Sequence, residues 1–253
     1  MVSVVIPVHN AQRFIGDTIR SVMGQEYKDW EILLIDDHSE DESVKQISYF
    51  IEDAREKGEE KRYRLLSSGN GRGAAAARNV GIKAAKGRYI AFLDADDIWE
   101  PEKLIEQLEF QDKIGAAFTF TGYEFADENG FGIDKIVRVP FRMNYKQALK
   151  NTTIFTSTVM FDTEKISKDM ILMPDVPSED TATWWKVLRN GYTAWGLNRP
   201  LTLYRRSGET LSSNKKKAVR RIWNLYRNVE HLSLIRSAWC FCFYAMHAVW
   251  RRL

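Results

Sequence analysis

Four apolar runs in the first hundred residues, separated by stretches of helical periodicity, constrain this chain more than any other feature. Val2–Val8, Trp30–Ile35, Tyr63–Ser67 and Tyr89–Leu93 have the length and the β-branched or aromatic content of buried strands. Between them, Ala11–Gln25 reads as an amphipathic helix, about Asp41–Lys57 as a charged helix, and Ala74–Ala85 as an Ala-rich helix with a stop near Gly87. A further helix runs from Pro101 to about Lys113, with proline at its favoured first turn. This alternation predicts an α/β fold with a Rossmann-like, mostly parallel central sheet, right-handed crossovers and flanking helices. Such sheets bind ligands beyond the C-terminal ends of their strands. Pro7–Asn10, Asp36–Ser39 and Asp94–Asp97 all fall there, and polar clusters on one edge point to one site.

The last of these clusters has the most specific chemistry. Arg88–Trp99 reads RYIAFLDADDIW, so a buried strand runs straight into Asp94, Asp96 and Asp97. Carboxylates gathered at a strand end are costly unless a cation sits among them. A hard divalent ion, Mg²⁺ or Mn²⁺, prefers such oxygen ligands, and an Asp-x-Asp step lets two side chains approach it. The plain alternative is that Asp97 caps a helix beginning near Pro101. Gly69–Gly73, read GNGRG, lacks the Lys-Ser/Thr of a P-loop and the spacing of a dinucleotide fingerprint, and is expected to be a flexible bend.

The second half is less regular. Ala116–Glu124, Thr156–Phe161 and Leu201–Arg205 are predicted strands. Ser178-Glu179-Asp180 opens a predicted helix, Thr181–Arg189, that ends at Asn190-Gly191. Those residues alone fit an N-cap followed by acids that suit the helix dipole. Arg78 alone reads as an ordinary helix charge. Trp184 and Trp185 fit core packing or sugar stacking. His38, His231 and His247 have no metal-ligand spacing.

Taken in order, VSVVIPVHN (Val2–Asn10), SVMGQEYKDWEILLIDDHSED (Ser21–Asp41), GNGRGAAAARNVGIKAAKGRYIAFLDADD (Gly69–Asp97), PSEDTATWWKVLRNG (Pro177–Gly191) and LYRRSGETLSSN (Leu203–Asn214) resemble glycosyltransferase family 2, inverting enzymes of the GT-A fold. The resemblance covers roughly residues 1–214. It implies that Pro7, His9 and Asn10 border the nucleotide base, although the family often has an aromatic where His9 stands. It implies that Asp37 contacts the uracil or ribose, that Arg78 and Asn79 help close the donor site, and that Asp94 and Asp96 are the metal-binding Asp-x-Asp, with Asp96 the direct ligand. Asp180, with Glu179 beside it, corresponds to the catalytic base. Arg205 lies in the segment that covers the diphosphate. There the family often has a His two positions on, and this chain has Ser207. The implied activity is metal-dependent transfer from a nucleotide sugar, a UDP-sugar by resemblance, to a hydroxyl of a glycan or lipid-linked glycan in bacterial surface-polysaccharide synthesis.

Rival readings are a nucleotidylyltransferase and a non-enzymatic receiver-like module. The first needs a Gly-rich basic loop after the first strand, which PVHNAQRF is not. The second is too small to explain residues beyond about 130 and puts its carboxylates after other strands.

Residues 215–253 read as an extension of a catalytic domain spanning 1–214. From Leu201 onward there are 11 Lys/Arg against 2 Asp/Glu, on a chain whose net charge is only +3. A basic tail on an acidic body calls for an anionic partner, a phospholipid surface first. Nucleic acid is the other candidate, and the resemblance gives it no role. Ser237–Trp250 holds no Asp, Glu, Lys or Arg, but its 14 residues fall short of the roughly 20 needed to span a bilayer. An interfacial helix fits better, the alternative being a helix packed on its own domain or in a homo-oligomer. Cys240 and Cys242 fit neither a disulfide framework nor a zinc site, and MVSVVIPVHN has no leader pattern. The expected location is cytoplasmic, peripheral at the inner face of the plasma membrane.

Overall fold

The computed structural model describes residues 1–151, 153–206 and 215–250. Ser207 and the proposed boundary at Asn214 lie outside them.

The chain begins as the apolar periodicity predicts: β1 (Val2–Val8), α1 (Ile15–Met23), β2 (Trp30–Asp36), α2 (Ser43–Glu56), β3 (Tyr63–Ser67), α3 (Ala74–Ala84) and β4 (Tyr89–Phe92). The strands pair in parallel in the order β3-β2-β1-β4. Side chains alternate between two cores. Val2, Val4 and Ile6 pack with Ile15, Ile19 and Leu104 on one face. Val5, Leu33 and Ile35 pack with Ala77 and Ile82 of α3 on the other. Burial on both faces explains why β1, β2 and β4 read as nearly unbroken apolar runs, while β3, at the sheet edge, is only half-buried.

Past β4 the sheet becomes mixed. β5 (Ile98–Trp99), α4 (Lys103–Ile114), β6 (Phe118–Ala126), β7 (Gly132–Val137), β8 (Arg142–Met143), α5 (Tyr145–Ala148), β9 (Met160–Asp162), α6 (Lys168–Ile171), α7 (Glu179–Arg189) and β10 (Ala194–Arg205) follow. The sheet continues β4-β9-β6-β10-β5, with β9 antiparallel to both neighbours and β10 parallel to β6. Two sequence expectations change here. The strand expected at Thr156–Phe161 starts only at Met160, because Thr156–Thr158 form a 3₁₀ turn. Hydroxyls drive that change: Thr156 bonds Asp180, Ser157 bonds Asp97 and Thr158 bonds the Phe155 carbonyl, competing with the ladder. The strand expected from Leu201 begins at Ala194 instead. It passes Pro200 at a register shift, where a missing N–H is tolerated.

Trp184 and Trp185 are both core residues; Trp184 sits among Phe92, Phe118 and Phe161. The expected extension forms α8 (Lys215–Asn224), a π-helical turn at Leu225–Val229 and α9 (Leu234–Trp250). Ile222, Leu225, Tyr226, Leu232 and Cys240 join the same core as Trp185, and Tyr226 stacks on Trp185 at 5.2 Å. Glu230 accepts a hydrogen bond from Arg189 of α7 at 2.6 Å. One side of these helices is therefore packed on the body, while Ile235, Trp239 and Met246 of α9 stay exposed. No described helix is long and apolar enough to cross a membrane.

Candidate active site

Parallel pairing brings the ends of β1, β2 and β4 to one edge, with Val8 opposite Asp36 and Val5 opposite Phe92. A cleft of about 620 Å³ opens there. Pro7, His9, Asn10, Asp37, Arg78, Asp94, Asp96, Glu179 and Asp180 all line it. Asn79 and Arg205 do not.

The loops after β1 and β2 are stitched together. His9 donates from Nδ1 to the Asp37 carbonyl at 2.7 Å, which leaves Nε2 as the acceptor for the Asn10 amide. Asn10, at φ +50°, receives the Glu40 N–H on Oδ1 and donates its own N–H to Ser39. Asp37 is buried and accepts from the Ser68 hydroxyl at 2.9 Å and the Gly73 N–H at 2.7 Å. It thus ties down the GNGRG segment expected to be a free bend. Gly73, at φ +88°, supplies the backbone angle that starts α3.

Helix α3 approaches the sheet closely. A Cβ on Gly81 would overlap Val5 and sit 2.9 Å from Ile35 Cδ1. One turn earlier, Arg78 is buried and donates to Asp94 at 2.5 Å and to Glu179 at 2.8 Å. Burial alone would disfavour its charge, but Asp94 and Glu179 outweigh that and hold the proton more firmly than water does. The reading of Arg78 as an ordinary helix charge therefore fails. Asn79 pairs both amide groups with the backbone of Met173, donating to its carbonyl and accepting its N–H. It fixes the segment ahead of α7 rather than facing the cleft.

The carboxylates after β4 divide by environment. Asp97 is fully buried, accepts from Ser157 and from the Arg205 N–H, and caps no helix. Burial, then the charges of Asp96 and Asp94, push its carboxyl well above the usual range. Asp96 lines the cleft, and burial followed by the Asp94 charge raises it to about 6. Such mutual repulsion is what a bound cation relieves. The donor set fits a hard ion: two carboxylates, with no third side-chain ligand completing a cluster among the described residues. Mg²⁺ and Mn²⁺ use few protein carboxylates and complete their shells with water and phosphate oxygens.

At the start of α7, Ser178 takes φ +62° and turns the chain into the cleft. Glu179 is engaged by Arg78; burial and then the neighbouring Asp180 raise its carboxyl. Asp180 accepts from the Thr156 hydroxyl at 3.0 Å and its own helix's Thr181 N–H at 2.6 Å. Arg205 is 1% exposed and bonds Asp17 at 3.1 Å; its guanidinium does not line the cleft itself but covers the ring of Phe14, which does. The cleft also takes Phe155, Thr156, Tyr204 and Arg221, none of which the sequence marked. Arg221 belongs to the basic run that the sequence assigns to an anionic partner outside the site.

The sequence matches the profile of Glycosyl transferase family 2 over residues 3–168. The chain belongs to that family. It is 41% identical over 254 residues to TuaG of Bacillus subtilis, a glycosyltransferase assigned provisionally to teichuronic acid biosynthesis, covering 100% of this chain and 98% of TuaG. It is 34% identical over 226 residues to the Escherichia coli UDP-Glc:α-D-GlcNAc-diphosphoundecaprenol β-1,3-glucosyltransferase WfgD, covering 89% of this chain and 85% of that one. Among solved structures, Staphylococcus aureus TarS 1–349 in complex with UDP-GlcNAc superposes with a TM-score of 0.68 at 19% identity, over 98% of this chain and 71% of TarS. A Pyrobaculum calidifontis mannosyltransferase with GDP-Man and Mn²⁺ gives 0.68 at 17% identity, over 92% of this chain and 64% of its own. These shared folds are GT-A. The chain is a glycosyltransferase, and the nucleotidylyltransferase and receiver readings fall away.

Proposed function

We propose that this glycosyltransferase moves a sugar from a UDP-sugar to a hydroxyl of a lipid-linked, diphosphate-bearing glycan, with inversion, using Asp180 as base. The carrying observation is the charge pattern around Arg78. Its guanidinium engages Asp94 and Glu179, leaving Asp96 and Asp180 as cleft carboxylates without an ion pair among the described residues. An acceptor hydroxyl must lose its proton as it attacks, and Asp180 is held by Thr156 with its carboxylate on the cleft. Asp96, with Asp94, would hold Mn²⁺ or Mg²⁺, which supplies charge stabilisation for the departing diphosphate. Pro7, His9, Asn10 and Asp37 would take the base and ribose, and Arg78 would keep the two acidic groups in place. The uridine donor and lipid diphosphate acceptor follow the substrates in the WfgD name, at 34% identity.

We also propose that residues 215–253 hold the enzyme peripherally at the inner face of the plasma membrane. Ile235, Trp239 and Met246 share one exposed side of α9, and Ile235 is 84% exposed. Such a stripe beside Arg236 and the basic α8 suits an anionic interface.

The test is a donor screen with Mn²⁺ and a GlcNAc diphosphate on an alkyl chain as acceptor. Consumption of a UDP-sugar with a product of opposite anomeric configuration is expected. Turnover of GDP-mannose alone, or retention of configuration, would overturn the reading.

A further inference from the structure

Resting on that lipid diphosphate reading, one question is which groups of this chain would recognise such an acceptor. Phe155 and Tyr204 line the cleft with ring centroids 4.6 Å apart. Both rings also meet Tyr123, in a small aromatic cluster separate from the two main cores. Phe155 directly precedes Thr156, the residue that holds Asp180. An aromatic ring pair therefore shares the cleft with the candidate base and is joined to it through Thr156.

The same cleft receives Arg221 from α8. Its position is fixed by its neighbours: Ile222 is 5% exposed in the core, and Tyr226 stacks on Trp185 of α7, the helix that begins with Glu179 and Asp180. Arg221 makes no ion pair among the described residues. Arg78, the other arginine on the cleft, is already bound between Asp94 and Glu179. An acceptor whose sugar hangs from a diphosphate brings negative charges of its own, distinct from those of the donor. A guanidinium offers the planar, paired donors that phosphate oxygens accept.

We propose that Phe155, Tyr204 and Arg221 form the acceptor subsite, the rings stacking on the acceptor sugar and the guanidinium pairing with its diphosphate. The C-terminal helices then do more than attach the enzyme: α8 reads the lipid's phosphate and sets which hydroxyl reaches Asp180.

Two acceptors test this, a GlcNAc diphosphate on an alkyl chain and the same sugar and chain joined without phosphate. Wild type, Arg221→Gln, Arg221→Lys and Phe155→Leu are compared by kcat/KM for each acceptor, by UDP affinity and by melting temperature. Arg221→Gln should lower the preference for the diphosphate acceptor by roughly tenfold or more, as loss of a charged hydrogen bond does. Arg221→Lys should keep part of that preference, and UDP affinity should stay within about twofold for both. Phe155→Leu should raise KM for both acceptors by roughly threefold or more at unchanged UDP affinity. An unchanged preference in folded Arg221→Gln overturns the phosphate contact. A parallel fall in UDP affinity reassigns Arg221 to the donor and also overturns it. If wild type consumes UDP-sugar yet neither binds nor glycosylates the lipid diphosphate, the acceptor reading itself has failed, and this inference with it.

Discussion

The Arg78 guanidinium donates to Asp94 at 2.5 Å from the middle of α3, so one buried cation neutralises the first carboxylate after β4. Its other Nη reaches Glu179, joining the loop after β4 to the start of α7. Removing that cation strands two carboxylates. Arg78→Gln should cost about 3 kcal/mol in urea unfolding, the scale for breaking a buried pair. A loss below roughly 1 kcal/mol would mean that water already screens both acids.

Asp96 gives a pH and metal prediction. Its carboxyl is raised to about 6 in the ion-free protein by burial and by Asp94. Between the ordinary value of 3.8 and about 6 the folded state binds the extra proton, so ion-free stability should fall as pH rises through that window. Asp97 shifts in the same direction and adds to the slope. A divalent ion competes with the proton, so Mn²⁺-dependent UDP affinity should weaken as pH drops below about 6. Asp96→Asn should remove the metal dependence while the protein stays folded. Calorimetry with and without EDTA checks both; UDP affinity indifferent to Mn²⁺ in wild type would defeat the metal role.

Asp180→Asn keeps shape and removes basicity. UDP and Mn²⁺ binding should persist while transfer falls by about 10²-fold or more. Glu179→Gln should instead lower thermal stability through the lost Arg78 ion pair. If the Asn variant transfers at wild-type rate, another group takes the proton.

Lys103 is a buried cation with a different signature. Its ammonium has no hydrogen-bond partner among the described residues, lies 3.7 Å from the Trp99 ring, and burial lowers its pKa well below 10.5. The unfolded chain therefore binds the proton more readily, and stability from this group should rise with pH toward 10.5. Lys103→Met should stabilise the protein at pH 7 by about 1 kcal/mol or more and flatten the slope between neutral pH and 10. Destabilisation at pH 7 would show that the ring face holds the ammonium charged.

The exposed side of α9 is tested without truncation, because deleting residues 215–253 would strip Tyr226 from Trp185. Ile235→Glu with Trp239→Glu should abolish flotation with anionic vesicles and leave UDP affinity unchanged. Full-length protein that stays off vesicles but loses oligomer size on this double substitution would make α9 a subunit interface.

Local order was legible wherever one period dominated. Two-sided apolar runs marked β1, β2 and β4, and their shared C-terminal edge grouped Pro7–Asn10, Asp36–Ser39 and Asp94–Asp97; of the polar residues there His9, Asn10, Asp37, Asp94 and Asp96 line the cleft, while Asp97 is buried. Short strands such as β5 and β8 carry no period to read, and the hydroxyl bonds of Thr156 and Ser157 only exist once α7 and the Asp97 loop are in place.

The sequence by itself determined the α/β order, the family pattern and the acidic residues of the cleft, because periodicity and motif spacing are local properties of the chain. Tertiary structure alone decided which carboxylate is engaged, which is open and which is buried. It put Arg78 between Asp94 and Glu179, sent Arg205 to Asp17, turned Asn79 to Met173 and brought Arg221 to the cleft from about 40 residues beyond α7's start. Each of those outcomes depends on distances between segments far apart in sequence, and charge and burial act through such distances, not through residue type.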